Sequence, residues 1–339
     1  MAGVDEKEDS TLAPDEAFTV LGNEVRIEIL RALADAGEPL SFSGLFDQVD
    51  YDTASNFSYH LDKLTQHFVR KTDEGYGLTR AGERVVEAVL SGAVTEAPVI
   101  ERTRVDQDCH FCGAPIEIRY HQERLERFCT ECPGMWGSRD RGFLGSLALP
   151  PVGLEGRSEE EAVRAAWTWR NLTIFALGAG LCPRCSARLE RELVLCDSHD
   201  VPESDELCDE CGNRFATRVR CRCPTCILDL RGSLPLVFVD HTEFQAFMTR
   251  HGYNLVSPDS IAAVQRFIDS HEEEVLSVDP FRARLTFSAD GESLTLTVDE
   301  DLEVVETVLT GCQEGTDEGG RSGNDGQSDG ASGRPSTGL

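Results

Sequence analysis

Residues 53–68 read TASNFSYHLDKLTQHF. Phe57, Leu61, Leu64 and Phe68 recur at i, i+4, i+7 and i+11, which places them on one stripe of an α-helix. The opposite side carries Ser55, Asn56, Tyr59, Asp62, Lys63 and Gln66. Such a helix packs along its apolar stripe and offers hydrogen-bonding groups on the other face.

The flanking sequence extends the pattern. In residues 24–36, EVRIEILRALADA, the residues Val25, Ile29, Leu30 and Leu33 share a face, and Gly37 is a stop. Ser41 opens a short helix, SFSGLFDQV, with Phe42, Leu45 and Phe46 inward. Asp50-Tyr51-Asp52 then leads into 53–68. Two short helices before a polar-faced third are the helix-turn-helix plan. Downstream, residues 69–78 are expected to form a β-hairpin wing with Gly75 at its tip and Arg70, Lys71 and Tyr76 on it. Thr79 caps a further helix whose apolar face is Val85, Val86, Val89 and Leu90.

LGNEVRIEILRAL (21–33), SYHLDKL (58–64) and GLTRAGERV (77–85) resemble the winged helix of ArsR-type archaeal and bacterial transcriptional regulators, over about residues 14–92. The resemblance implies a double-stranded DNA partner, the third helix in the major groove and the wing on adjacent backbone. Ser58-Tyr59-His60-Leu61 matches the family's Ser-x-His-Leu element. Ser55, Asn56, Ser58, Tyr59 and His60 are then the DNA contacts, with Lys63 on phosphate and Arg70, Lys71 and Tyr76 on the wing. His60 reads equally well as a packing residue with one hydrogen bond. The resemblance also implies a homodimer formed through Phe18, Leu21 and the 85–90 face. Residues 41–49 hold no cysteine, so arsenic or cadmium sensing is not expected there. Winged helices also serve as protein-binding modules.

Thirteen cysteines follow this segment, mostly in CxxC pairs. Cys109/Cys112 and Cys129/Cys132 are sixteen residues apart. Zinc takes four tetrahedral ligands, and a CxxC knuckle supplies two. The intervening residues suit two strands turning near His121-Gln122, which is a zinc-ribbon plan. The second cluster comprises Cys182/Cys185, Cys196/His199, Cys208/Cys211 and Cys223/Cys226, with gaps of ten residues between the first two pairs and eleven between the last two. The near-equal gaps suggest two successive ribbons, and a cross-braced pairing of first with third is equally legal. Cys221 is a spare or alternative ligand, and Cys312 a free thiol. Up to three structural Zn²⁺ ions are expected. No HExxH or Walker element is present, and no enzyme is expected.

The chain has 339 residues, 61 acids against 32 bases, and a formal charge of -29. Only Lys7, Lys63 and Lys71 are lysines. This balance resembles that of proteins from salt-in halophiles such as haloarchaea. It would repel DNA in dilute buffer, whereas near molar salt the Debye length is only about 3 Å and contacts decide. The first residues are acidic and the longest apolar run, 171–182, is too short for a bilayer, so a cytoplasmic protein with no membrane partner is expected.

The expected fold class is α+β: an N-terminal winged helix-turn-helix, zinc-ribbon modules, a small C-terminal α/β unit and a disordered acidic tail. The boundaries read as a loose acidic arm over 1–13, the winged helix over 14–98 and a zinc ribbon over 99–136. A helical connector spans 137–181, opened by the Ser158/Glu161 capping box and stopped near Gly178. The second cysteine-rich region spans 182–232 and the α/β unit 233–312, with helices over 242–251 and 259–270 and a hairpin turning at Asp290-Gly291. A disordered tail covers 313–339. Trp136, Trp167 and Trp169 are read as core residues. The function expected is a sequence-specific DNA-binding transcriptional regulator with a small effector or a transcription-machinery partner. The alternatives are an adaptor resembling archaeal transcription factor E, which also joins a winged helix to a zinc ribbon, and a thiol/zinc redox switch.

Overall fold

A computed structural model describes residues 12–65, 67–137, 139–200 and 207–311. The acidic arm up to residue 11, Gln66, Cys312 and the expected tail lie outside them. The described chain is α+β, with eight α-helices and four small antiparallel sheets. Its buried apolar side chains form two separate clusters, one from Ile29 to Val86 and one from Val105 to Leu302.

The first cluster is built by five helices and a hairpin. Helix α1 is Pro14–Leu21, α2 Glu24–Ala36, α3 Phe42–Gln48, α4 Ala54–Leu64 and α5 Arg80–Leu90. The caps follow the sequence: Asn23, Ser41 and Thr79 each accept a backbone N–H of the first turn, and Gly37 ends α2 in the left-handed region. Strands β1 (Val69–Thr72) and β2 (Gly75–Leu78) pair as the expected hairpin. Leu40 exchanges two backbone hydrogen bonds with Tyr76, which ties the hairpin to the segment before α3. Phe57 is fully buried, with the rings of Phe42 and Phe46 edge-on at 5.5 and 5.2 Å.

The second cluster is one continuous core under three sheets. Strands β3 (Ile100–Asp108), β4 (Pro115–His121), β5 (Arg124–Cys129) and β6 (Phe143–Ala148) form an antiparallel meander. The β4–β5 turn falls at Gln122-Glu123, one residue later than expected, because both residues adopt positive φ as a two-residue hairpin loop requires. Helix α6 (Glu159–Gly178) crosses behind this sheet, opened by the Ser158/Glu161 box. Strands β7 (Glu190–Leu195), β8 (Thr217–Arg222) and β9 (Asp229–Ser233) make the third sheet. Helices α7 (Thr242–Arg250) and α8 (Ile261–Asp269) lead into β10 (Glu272–Val278), β11 (Phe281–Ala289), β12 (Glu292–Asp299) and β13 (Val304–Thr310). That last sheet is an antiparallel meander, so the C-terminal unit is α+β in connection rather than the expected α/β.

Trp167 is buried and donates its Nε1–H to the Leu255 carbonyl at 2.8 Å. Trp169, expected in the core, is 53% exposed. Successive helical residues turn by about 100°, so residues two apart point to opposite sides and only one of the two can face the core. Trp136 is half-buried. Among the described residues no helix is long and apolar enough to cross a membrane.

Candidate metal centres and nucleic-acid interface

Three groups of four side chains converge, each with its ligand atoms within 4.8 Å of one another. The first is Cys109, Cys112, Cys129 and Cys132, carried by the turn after β3 and the end of β5. Cys109 and Cys132 sulfurs are 3.7 Å apart, and those of Cys112 and Cys129 3.4 Å. A tetrahedral ion with ~2.3 Å metal–sulfur bonds sets sulfurs about 3.8 Å apart, whereas a disulfide needs about 2.0 Å. The spacing therefore fits four thiolates around one ion. Burial pushes the Cys109 thiol up to about 11, so a cation is what would make a thiolate favourable there.

The second group is Cys182, Cys185, Cys223 and Cys226, with sulfurs 3.5 Å apart for Cys182–Cys226 and for Cys185–Cys223. The third is Cys196, His199, Cys208 and Cys211. The first cysteine pair thus shares a centre with the fourth, and the second with the third. This nested pairing corrects both arrangements expected from the spacing. Its cause is the β7–β8 ladder, in which Glu190 faces Arg222 at one end and Leu195 faces Thr217 at the other. The pairs flanking one end of an antiparallel ladder must meet, and the two ends of a six-residue strand lie about 17 Å apart. No ion could join pairs one and two across that length.

The knuckles share a local geometry. In those opened by Cys109 and Cys208, the first cysteine's N–H bonds a carbonyl five residues on, and its carbonyl accepts from Gly113 or Gly212. Both glycines have positive φ, which an L side chain adopts only with strain. Ser186 takes the same position after Cys182, at φ 60°. The N–H groups of Cys211 and Asp200 pull the Cys208 thiol down to about 6. His199 donates from Nε2 to the Arg214 carbonyl at 3.1 Å, which fixes the tautomer and leaves Nδ1, 3.5 Å from the Cys211 sulfur, as the ligand atom. Cys221 belongs to none of the three groups. It is fully buried in the core because β8 alternates, with Arg220 and Arg222 on the other face.

The residues expected on DNA lie on α4 and the β1–β2 hairpin. Phe57, Leu61 and Leu64 are buried, while Ser55, Asn56, Tyr59 and Lys63 are exposed on the far side of the helix and Ser58 is half-buried at its edge. Arg70 and Lys71 are exposed on β1, and Tyr76 is half-buried on β2. The Lys63 ammonium sits 5.7 Å from the Tyr59 ring and Lys71 5.4 Å from Tyr76. Among the described residues, Lys63, Arg70 and Lys71 make no ion pair. His60 is half-buried, its Nε2 3.4 Å from the Tyr51 hydroxyl and its Nδ1 buried without a partner. Burial, then the Arg26 charge, lowers its pKa. Phe18, one of the residues expected in a dimer contact, is 76% exposed on α1, and Leu90 on α5 is 47% exposed.

Two family models match the chain. Residues 106–304, more than half of it, match one described as a domain of unknown function (DUF7351), and residues 14–89 match another described as a domain of unknown function (DUF7347). No curated protein and no solved structure matches.

Proposed function

We propose the following function for this chain, which belongs to the DUF7351 family: a sequence-specific, DNA-binding transcriptional regulator held together by structural zinc. Residues 14–89 act as a winged helix-turn-helix of the ArsR-like type, with α4 in the major groove and the β1–β2 hairpin as the wing on phosphate. The observation that carries this reading is the division of α4. Its apolar side is sealed in the first core, and nothing in the described chain covers Ser55, Asn56, Tyr59 and Lys63. Asn and Tyr can bond base edges or phosphates, and Lys63, Arg70 and Lys71 supply the local positive charge that an acidic protein otherwise lacks.

The ions are zinc, up to three, and their role is structural. Three of four ligands or more are thiolates in each group, and four protein ligands leave no open position for a substrate. The protein acts in the cytoplasm, at high potassium chloride, as a homodimer through the exposed residues of α1 and α5.

The test is selection of bound fragments from a random duplex library by the zinc-loaded full chain in concentrated potassium chloride. A discrete, repeated motif is the expected result. Enrichment without any motif would replace the regulator by a transcription-machinery adaptor, and no enrichment at all would remove DNA from the account.

A further inference from the structure

A concavity of about 760 Å³ lies among β5, β6, α6, β9 and α8. Six arginines line it: Arg124 and Arg127 from β5, Arg139 before β6, Arg170 from α6, Arg184 from the Cys182 knuckle and Arg231 from β9. In a chain with 61 acids and 32 bases, arginines have abundant carboxylates to pair with. Among the described residues, none of these six guanidinium groups makes an ion pair or a hydrogen bond. The three carboxylates on the same wall are already engaged. Glu126 takes Arg119 at 2.6 Å, Asp229 takes Arg220 at 2.5 Å and Asp269 takes His110 at 3.0 Å.

Arg127 is the strongest signal. It is 3% exposed and its Nε–H has no partner. Its guanidinium and that of Arg170 stand 6.0 and 5.7 Å from the same Trp167 ring, so two like charges converge on one indole. The Asp269 charge acts on both guanidiniums, but it is one carboxylate for two cations and is already bonded to His110, so the buried pair is costly unless a further anion joins them. Two buried acceptors complete the wall. The Asn171 Oδ1 and the Gln265 Oε1 have no partner, and their residues are 1% and 9% exposed. They call for an N–H or O–H donor on whatever enters. Trp136, Phe143, Ile174 and Leu255 supply apolar surface around the polar groups.

We propose that this cavity binds a small organic anion: a carboxylate or phosphate head between Arg127 and Arg170, carried on a flat apolar body that also bears an N–H or O–H donor. Bidentate guanidinium geometry suits both heads. The site is formed wholly by the second core, so its occupancy stands independently of the DNA-binding reading.

The experiment is calorimetric titration of the zinc-loaded full chain with AMP, tryptophan, 4-hydroxybenzoate and inorganic phosphate. One saturable site for at least one organic probe is expected, with phosphate alone weaker because it lacks the apolar body. AMP binding assigns a phosphate head, and tryptophan or 4-hydroxybenzoate binding a carboxylate head. Arg170→Gln should weaken the bound probe about ten- to a hundredfold without lowering the ligand-free melting temperature, since it removes one of two like charges. Arg231→Gln, at the cavity's rim strand, is the second variant should the first fail to fold, with weaker binding again expected. The proposal is overturned if no organic probe binds saturably, if phosphate binds as tightly as all of them, or if binding survives in the folded arginine variants.

Discussion

The nested pairing of the second cysteine cluster makes a prediction that ion counting can decide. A structural zinc contributes roughly 12 kcal/mol in small zinc domains, so each of four ligands carries about 3 kcal/mol, or about two decades in metal affinity. Cys185→Ser should therefore weaken the ion between Cys182 and Cys226 by about a hundredfold. Adding Cys226→Ser strikes the same ion, because those thiols share one centre at the Glu190/Arg222 end of the ladder. Adding Cys196→Ser instead strikes the other ion, about 17 Å away by the strand rise. Native mass spectrometry of the dialysed variants reads the outcome directly. The double variant Cys185→Ser/Cys226→Ser should lose one zinc from three, and Cys185→Ser/Cys196→Ser should lose two. Cys185→Ser/Cys208→Ser should also lose two, since a cross-braced site is the only one those thiols would share. The reasoning fails if Cys185 and Cys196, or Cys185 and Cys208, prove to hold the same ion.

Three further outcomes follow from the two cores, the charge and His60. Trp167→Ala should destabilise the second core by about 3–5 kcal/mol from reduced burial and leave the Leu255 carbonyl without its donor, while the first core keeps its melting transition; differential scanning calorimetry would contradict this if both transitions fell together. Thermal stability should rise with potassium chloride, since a charge of -29 repels itself when unscreened, and a flat salt series would argue against that. The folded pKa of His60 lies below its unfolded value, so the unfolded chain binds the proton more readily. Its contribution to the first core is present above pH ~6.5 and is lost as pH falls toward the folded value. His60→Gln should flatten the acid limb of that unfolding curve, and an unchanged limb would show the ring titrates alike in both states.

Local chemistry is legible in the chain and long-range pairing is not. The caps Asn23, Ser41, Thr79 and Ser158, the stripe of α4 and the CxxC knuckles are written within a few residues of where they act. The partner of Cys182 is set by strand register, and gaps of ten and eleven residues carry no information about which end of a ladder each pair flanks. Strand β3, IERTRVDQD, escapes a reading by periodicity because Val105 is its one buried residue and charges fill both faces. Strand β13, VVETVLT, is apolar in sequence yet largely exposed as a sheet edge, so its pattern fits no burial rule. The alternation TRVRCR around Cys221 is the one available sign that this thiol faces the core rather than a metal. The six arginines of the cavity come from positions 124 to 231, and only the packing of β5, α6 and β9 with the segment before β6 and the Cys182 knuckle brings them around one cavity.

The central claim is that the uncovered face of α4 reads DNA. The most direct measurement is the affinity of the zinc-loaded chain for its selected duplex and for a scrambled duplex, with and without Asn56→Ala/Tyr59→Ala. Both side chains are exposed, so the variant should keep its zinc and its melting temperature. The account predicts that preference for the selected duplex falls by about tenfold or more, since each base-edge interaction removed costs about 1–3 kcal/mol, while the weaker scrambled binding changes little. Undiminished preference in the folded variant would contradict it.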